Sequence, residues 1–291
     1  MARPDADYTT LTQVRRMITP AATDTNDDDI LRRKIQAASG ILRGRCRRSF
    51  VPYLATLRFD AVPGVRLTPY ELMLDEDLLA VTTATNGDGT TISSGNLVLR
   101  PLNAPPYHAL CIKRSAGVTW AWDDDWEQAI SIAGVWGYHE DYANAFADSG
   151  ETISSLSTGA TTFTATDADG QDADGRDRFE VGRYLRLGGT NSSEIVKVTD
   201  RNTTTQLVTI RRAQLGTSAA AIASQTTIYS YRQTPAIEEA TARLAVWLYQ
   251  HRDARDGMLQ LLDSNITLQD NTLKDIFAVA DGYIRRTVVS A

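Results

Sequence analysis

Apolar residues recur at helical spacing in two regions of the chain, one near each end. Near the N-terminus, Thr10 precedes a short apolar face that has to end before Pro20. A run of about 20 residues follows, and it opens with caps and aspartates where free N–H groups and the helix dipole favour them. Its apolar positions are Ile30, Leu31, Ile35, Ala38, Ile41, Leu42 and Cys46. Two further helices are predicted, one from Pro235 and one over 273–284.

Between these helical regions the apolar period changes to two, which is typical of β-strands. Short candidates separated by Pro, Gly and Asn turns lie at 53–60, 65–67, 71–74, 78–83, 96–99 and 108–113. The segment 130–138 predicts a buried strand that stops at a tight turn, because its alternating isoleucines run into Gly134-Val-Trp-Gly-Tyr138. A helix should follow this strand closely, yet the next one begins only at Pro235.

The intervening stretch is rich in Thr, Gly and Asp and has strand candidates of its own. They lie at 152–156, 161–166, 183–187, 194–199, 206–211 and 226–231. Six short strands suit a small barrel or sandwich. We therefore expect an α+β fold in which a helical bundle packs with a small antiparallel sheet, formed by 1–138 and 233–291. Residues 139–232 are expected to be an inserted all-β domain.

Composition and charge narrow the functional class only slightly. A chain of 291 residues with 42% hydrophobic content can fill the cores of two modest domains. The net charge of -6 argues against a dedicated nucleic-acid binder, although a local basic patch remains compatible with it. The two cysteines, Cys46 and Cys111, offer no disulfide framework. Without an apolar signal region or spanning run, we expect a cytoplasm-like compartment and no membrane.

No motif predicts an enzyme, a metal site or a cofactor. The chain lacks Gly-x-Ser-x-Gly, a phosphate-binding loop and Gly-x-Gly-x-x-Gly, and its three histidines lie in separate settings. The acidic stretch 167–177 resembles a calcium loop in composition, but its spacing does not match one. We therefore expect no catalytic residue, no metal and no cofactor, and a solvated acidic hairpin at 167–177.

The aspartates 123–125, which lie between tryptophans, suggest a sugar hydrolase site as an alternative. Adjacent aspartates seldom present two carboxylates across a substrate, so a polar hairpin flanked by core-facing tryptophans is the preferred interpretation.

The second helix ends in a basic cluster of Arg43, Arg45, Arg47 and Arg48. Arginines at a helix C-terminus interact favourably with the helix dipole, so the cluster is compatible with a solvated helix end. The same charges also suit a surface that meets nucleic acid or an acidic partner.

Several segments, in this order along the chain, resemble the head-tail connector proteins of tailed bacteriophages, also called adaptor or head-completion proteins. The matching segments are Tyr8-Thr-Thr-Leu-Thr-Gln-Val14, Asp27-Asp-Asp-Ile-Leu31, Ala37-Ala-Ser39, Arg47-Arg-Ser-Phe50, Leu74-Asp-Glu-Asp-Leu-Leu-Ala-Val81, Ile132-Ala-Gly-Val-Trp-Gly-Tyr138 and Pro235-Ala-Ile-Glu-Glu-Ala240. The insertion departs from the family pattern. Its segments 181–187, 194–198 and 211–218 look like small β-barrel modules of other phage structural proteins.

The resemblance implies a structural virion protein of the phage neck, assembled in the host cytoplasm. It implies a homo-oligomeric ring of about twelve copies beneath the portal protein, with a head-closure or tail-completion protein bound to the ring. Packaged double-stranded DNA would pass through with non-specific contacts. The long helices are then expected around the lumen and the insertion on the outside.

This role gives two groups of residues a possible function. Arg43, Arg45, Arg47 and Arg48 would face the DNA or an acidic portal surface. The C-terminal Arg285, Arg286, Val288 and Val289 would dock on the portal by adding to a sheet edge or groove. The main alternative is a carbohydrate- or receptor-binding protein that uses 139–232, and the hydrolase alternative depends on Asp123 and Asp125.

Overall fold

A computed structural model of the chain describes residues 3–18, 25–62, 64, 66–172, 175–189, 193–251 and 271–285. In this part the fold is mostly β, with two six-stranded antiparallel sheets and four helices. The expected α+β class, a helical bundle packed with a small sheet, is therefore wrong. The helices lie where they were predicted, but the short strands assemble into two full sheets, so the predicted class gave the long amphipathic helices too much weight.

The four helices lie where the apolar pattern predicts them. They are α1 (Leu11–Ile18), α2 (Asp28–Cys46), α3 (Pro235–Gln250) and α4 (Asn271–Asp281). Thr10 caps α1, since its Oγ1 accepts the backbone N–H of Gln13 at 3.3 Å. Arg47 ends α2 in the left-handed conformation, with φ of 53°.

The first sheet lies between α2 and the second sheet in the sequence. Its strands are β1 (Tyr53–Phe59), β2 (Glu71–Thr85), β3 (Thr91–Ile92), β4 (Leu97–Arg100), β5 (Tyr107–Ile112) and β6 (Ile130–Trp136). The order across the sheet is β1-β6-β2-β5-β4, with β3 paired to β2. The candidates at 71–74 and 78–83 belong to one strand, β2. The pairing of β2 with β5 shifts register between Met73 and Leu78, so the strand continues through the acidic residues 75–77. The candidate at 65–67 is described only in part and contributes the single bridge Leu67–Leu72.

Strand β6 is a buried inner strand of this sheet, and its burial is what its sequence predicts. It pairs with β1 and with β2, and its residues Ile130, Ile132 and Trp136 are fully buried. Gly134 lets β2 approach closely, because a Cβ at this position would lie 2.4 Å from the carbonyl oxygen of Ala80. The turn after β6 uses Gly137 at a φ of 124°, which an L side chain rarely adopts.

The second sheet contains β7 (Phe146–Ile153), β8 (Thr162–Thr164), β9 (Tyr184–Leu187), β10 (Glu194–Asn202), β11 (Leu207–Arg211) and β12 (Thr226–Tyr231). The strand order is β7-β12-β9-β10-β11-β8. Phe163 and Phe179 meet edge to face in its core, with ring centres 5.6 Å apart. Within the described residues no ladder joins β7 to β8, so the hydrogen-bonded path stays open rather than closing into a barrel.

The chain divides into two compact units. The first contains 48–142 together with 3–4 and Arg285, and the second contains the described residues of 5–47 and 143–284. All four helices and the second sheet therefore belong to one unit. This division differs from the predicted domains, 1–138 with 233–291 and 139–232, whose boundaries stay a prediction.

Candidate functional site

Two of the four arginines at the end of α2 are engaged by carboxylates of the second unit. Arg43 Nη2 donates to Asp5 Oδ1 at 3.1 Å. Arg45 makes a two-pronged contact with Asp281, at 2.6 and 2.8 Å, and its guanidinium lies 4.6 Å from the centre of the Phe277 ring. The hydrogen bond from Arg45 lowers the pKa of Asp281. Much of the positive charge expected on this surface is therefore neutralised locally.

Arg47 lies at the C-terminal cap of α2 and is exposed, as Arg45 also is. No carboxylate of the described residues forms an ion pair with Arg47. Among the four predicted site residues, Arg47 is the one whose charge faces outward at full strength.

Arg48 belongs to the first unit and points its charge at a buried carboxylate. Arg48 Nε lies 3.3 Å from Asp77 Oδ2, and the guanidinium stacks 4.5 Å from the centre of the Tyr138 ring. Arg285 Nε donates to the other oxygen, Asp77 Oδ1, at 3.2 Å, and Arg285 Nη2 donates to the Leu74 carbonyl at 2.8 Å. We call Asp77, Arg48 and Arg285 the Asp77 cluster. Their side chains are only 6%, 16% and 14% exposed, so two of the predicted site residues stabilise the first unit.

Of the four predicted docking residues at the C-terminus, the structure describes only Arg285. Arg285 is held by Asp77 and Leu74, as given above, whereas Arg286, Val288 and Val289 lie outside the described residues. Nothing in the sequence indicated that Arg285 has an internal partner, because Asp77 is 208 positions away.

The aspartates between the tryptophans are exposed, but one of the flanking tryptophans does not face the core. Asp123, Asp124 and Asp125 are exposed, and none of them forms an ion pair with a described residue. Trp120 is buried, but the expectation that Trp126 also faces the core is wrong, because Trp126 is 41% exposed. Its backbone is nevertheless fixed, since the Trp126 carbonyl accepts the Ala61 N–H at 2.7 Å.

The acidic stretch 167–177 is matched to arginines rather than arranged around a cation. Asp172 is buried, and its Oδ1 accepts the backbone N–H of Arg176 at 3.0 Å while Arg183 lies 4.0 Å from Oδ2. Asp177 faces Arg16 at 3.4 Å. Across the described part of the chain, no group of three or more His, Cys, Asp or Glu side chains is placed to hold a metal ion.

A buried polar network joins α1 to the second sheet within the second unit. Glu180 accepts hydrogen bonds from Thr10 Oγ1 at 2.9 Å and from Arg183 Nη2 at 2.7 Å. Burial raises the pKa of nearby Glu238 against the opposing effect of Arg176, which lies 3.3 Å away. Because the charges are paired, this network fixes the packing of the unit rather than offering a reactive group.

The sequence did not predict a groove of about 260 Å³ in the second unit, between α2 and the second sheet. Its floor is apolar, with Leu11, Ile35 and Val181, and its cationic residues are Arg32, Lys197 and Arg211. Lys197 and Arg211 are directly opposite each other in the β10–β11 ladder. The only sequence signal was the pair of basic residues on two strands, which has meaning only once their register is known.

Comparison with known protein families finds none that matches this chain, and no curated protein matches it. None of the described helices has both the length and the hydropathy needed to cross a membrane.

Proposed function

We propose that this protein is a structural component of the neck of a tailed bacteriophage. It forms a ring of about twelve copies under the portal, joins the DNA-filled head to the tail or to a closure protein, and lets DNA pass. The observation that supports the proposal best is that the segments on which the resemblance rests contact one another, although they are far apart in the sequence.

Three hydrogen bonds, each donated by a backbone N–H, illustrate these contacts. The N–H of Tyr8 donates to Ser39 Oγ at 3.0 Å within the second unit. Within the first unit, the N–H of Tyr138 donates to the Ser49 carbonyl at 2.7 Å, and the N–H of Gly137 donates to the Asp77 carbonyl at 2.8 Å. A framework shared with the connector family would require these segments to meet in space, and the contacts within each unit agree with that requirement.

The charge distribution supports passage of DNA rather than tight binding. Each phosphate contact by a free Lys or Arg adds affinity and salt dependence. With Arg43, Arg45 and Arg48 paired to carboxylates, each copy offers one exposed arginine at this end of α2, Arg47, that forms no ion pair with a described residue. A ring repeats that single charge in every copy, which gives a weak and sequence-independent contact.

The primary test is capture of a tagged full-length copy from cells that produce the source virus, with bound proteins identified by mass. The proposal expects a large portal-like oligomer together with another neck or tail protein. Recovery of neither, under conditions that preserve virions, would overturn it and favour the sugar- or receptor-binding alternative.

A second test addresses the basic end of α2. We expect Arg47→Gln to reduce either the fraction of heads that retain DNA or the yield of captured portal. Arg33→Gln is the matched control, because Arg33 is an exposed arginine on the same helix outside the basic end. If the two variants retain DNA and capture portal equally well, the basic end of α2 contacts neither DNA nor the portal.

The C-terminal tail requires a separate variant. Deleting 286–291 keeps Arg285 and its hydrogen bond to Asp77, so it tests docking without disturbing the first unit. Portal capture should weaken in this variant. Unchanged capture would show that the tail has no docking role.

A further inference from the structure

The groove between α2 and the second sheet has an excess of positive charge. Lys197 and Arg211 face each other across the β10–β11 ladder, an arrangement that is destabilising unless an anion compensates it. Asp7 forms an ion pair with Lys197, while Arg211 is exposed and has no carboxylate partner among the described residues. One carboxylate therefore offsets only one of the two charges.

The other charge at the groove is also only weakly compensated. Arg32 pairs with Asp29 at 3.0 Å, in an exposed contact between neighbouring turns of α2. Such surface pairs contribute about 0 to 1 kcal/mol, so Arg32 remains able to take another carboxylate. The groove therefore presents two cations, Arg32 and Arg211, to a ligand.

The floor of the groove restricts the class of ligand. Leu11, Ile35 and Val181 are apolar, so they favour a ligand with an apolar side chain beside its negative charge. Thr9 also lines the groove, and its buried Oγ1 has no hydrogen-bond partner in the described part of the chain. A volume of about 260 Å³ suits one large side chain rather than a cofactor.

The chain itself contains a segment of this chemistry. The acidic tryptophan loop, which we define as residues 123–127, contains Asp123, Asp124, Asp125, Trp126 and Glu127, all of them exposed. Its backbone is fixed on both sides, because the Ala121 carbonyl accepts the Gly87 N–H at 2.9 Å before the loop and the Gln128 N–H donates to Asp60 Oδ1 at 2.8 Å after it. A fixed loop loses little conformational freedom on binding.

We propose that the groove of one copy binds the acidic tryptophan loop of a second copy of this chain. Trp126 enters the apolar floor, and the aspartates face Arg32 and Arg211. Because loop and groove are different surfaces, the contact is heterologous, which is the type that generates rings when the rotation closes. The inference rests on the proposed neck ring, since it names the contact between neighbouring copies in it.

Site-specific crosslinking between two differently tagged full-length copies tests the contact. One copy has Asp125→Cys and the other has Gln36→Cys, an exposed position of α2 that lines the groove. Both are produced in virus-producing cells, captured, and treated with a short bismaleimide. Products that contain both tags are intermolecular by design, and the wild-type pair measures the background from Cys46 and Cys111.

The expected result is mixed-tag product at least about tenfold above that obtained with Asp88→Cys, an exposed aspartate of another turn. If portal complexes are captured without this excess, the groove contact is refuted and the neck function stands. If no portal complex is captured, the neck function fails. The same crosslinking is then carried out on purified protein. The groove contact is supported if the excess over Asp88→Cys persists there, and it is refuted if the excess is absent.

Charge reversal separates binding from folding. Arg211→Glu removes the repulsion with Lys197, so the isolated copy should be at least as stable as the wild type while mixed-tag crosslinking falls about tenfold. Asp124→Lys should lower crosslinking similarly, and mixing Arg211→Glu copies with Asp124→Lys copies should restore it in part. Undiminished crosslinking in both single variants would overturn the proposal.

Discussion

Replacement of Asp77 by asparagine removes the carboxylate that Arg48 and Arg285 share. Asp77 is 4% exposed in strand β2, and asparagine keeps its size while removing the charge. The side chains of Arg48 and Arg285 remain in place and are only 16% and 14% exposed. The variant therefore leaves two poorly solvated cations next to each other.

The two contacts contribute by different mechanisms. The Arg285 contact is an aligned, charge-assisted hydrogen bond, which is worth about 1.5–3 kcal/mol. The Arg48 contact at 3.3 Å lacks hydrogen-bond alignment, so it acts mainly through charge. Breaking a buried pair by removing one partner costs about 3–5 kcal/mol, and the residual exposure of both arginines puts Asp77→Asn near the lower end, at about 3 kcal/mol.

The matched control is Asp75→Asn in the same strand. Asp75 pairs with Arg66, and their side chains are 59% and 60% exposed, so this substitution should cost about 0–1 kcal/mol. With two compact units in the chain, a local observable is needed, and native-state hydrogen exchange provides one.

Asp77→Asn should lower the exchange protection of first-sheet amides, including the Gly137 N–H, by about a hundredfold. Amides of the second sheet should keep their protection. The reasoning is refuted if Asp77→Asn changes the first sheet no more than Asp75→Asn does, or if both sheets lose protection equally.

Three further substitutions test other parts of the structure. Glu194→Gln should cost about 3 kcal/mol at pH 7, because Glu194 forms a two-pronged pair with Arg212 at 2.5 and 2.7 Å. Burial raises the pKa of Glu194, but the hydrogen bonds from Arg212 outweigh it, so the pKa lies below its usual 4.5. The wild type should therefore be more stable than Glu194→Gln at neutral pH, and urea unfolding should show this difference shrinking as the pH falls below 4.5. Gly134→Ala should cost more than 2 kcal/mol through collision with Ala80, whereas Gly44→Ala, in open space on α2, should stabilise by about 0.5–1 kcal/mol in thermal unfolding.

The helices were predictable because their signals are local. Thr10 caps α1, and Pro235 opens α3 with a fixed φ and no N–H to satisfy. The fold class was not predictable from such signals. Strand β7 contains buried Ser149 and Glu151, whose polar atoms are satisfied by bonds such as that from Ser149 Oγ to the Ile228 carbonyl at 2.7 Å. A strand with buried polar residues has no clean alternation.

The candidate site was only partly predictable for a related reason. The arginine cluster of α2 is visible in the sequence, but which of its charges stay free depends on partners such as Asp5, Asp281 and Asp77. The strand candidates at 71–74 and 78–83 left out residues 75–77, yet the chain passes through them as one strand. The groove depends on the register that sets Lys197 opposite Arg211, and periodicity does not specify register between distant strands.

The Asp77 cluster also affects the order of events during synthesis. Residues 48 to 142 leave the ribosome long before Arg285, so the first sheet can pair its strands while Asp77 has only Arg48 beside it. The contact that spans 208 positions closes last. A nascent first unit is therefore less stable than the finished one, and a chain interrupted before Arg285 has a sheet with an incompletely compensated carboxylate. The first sheet thus reaches its full stability only when translation supplies Arg285, more than a hundred residues after the last strand of that sheet.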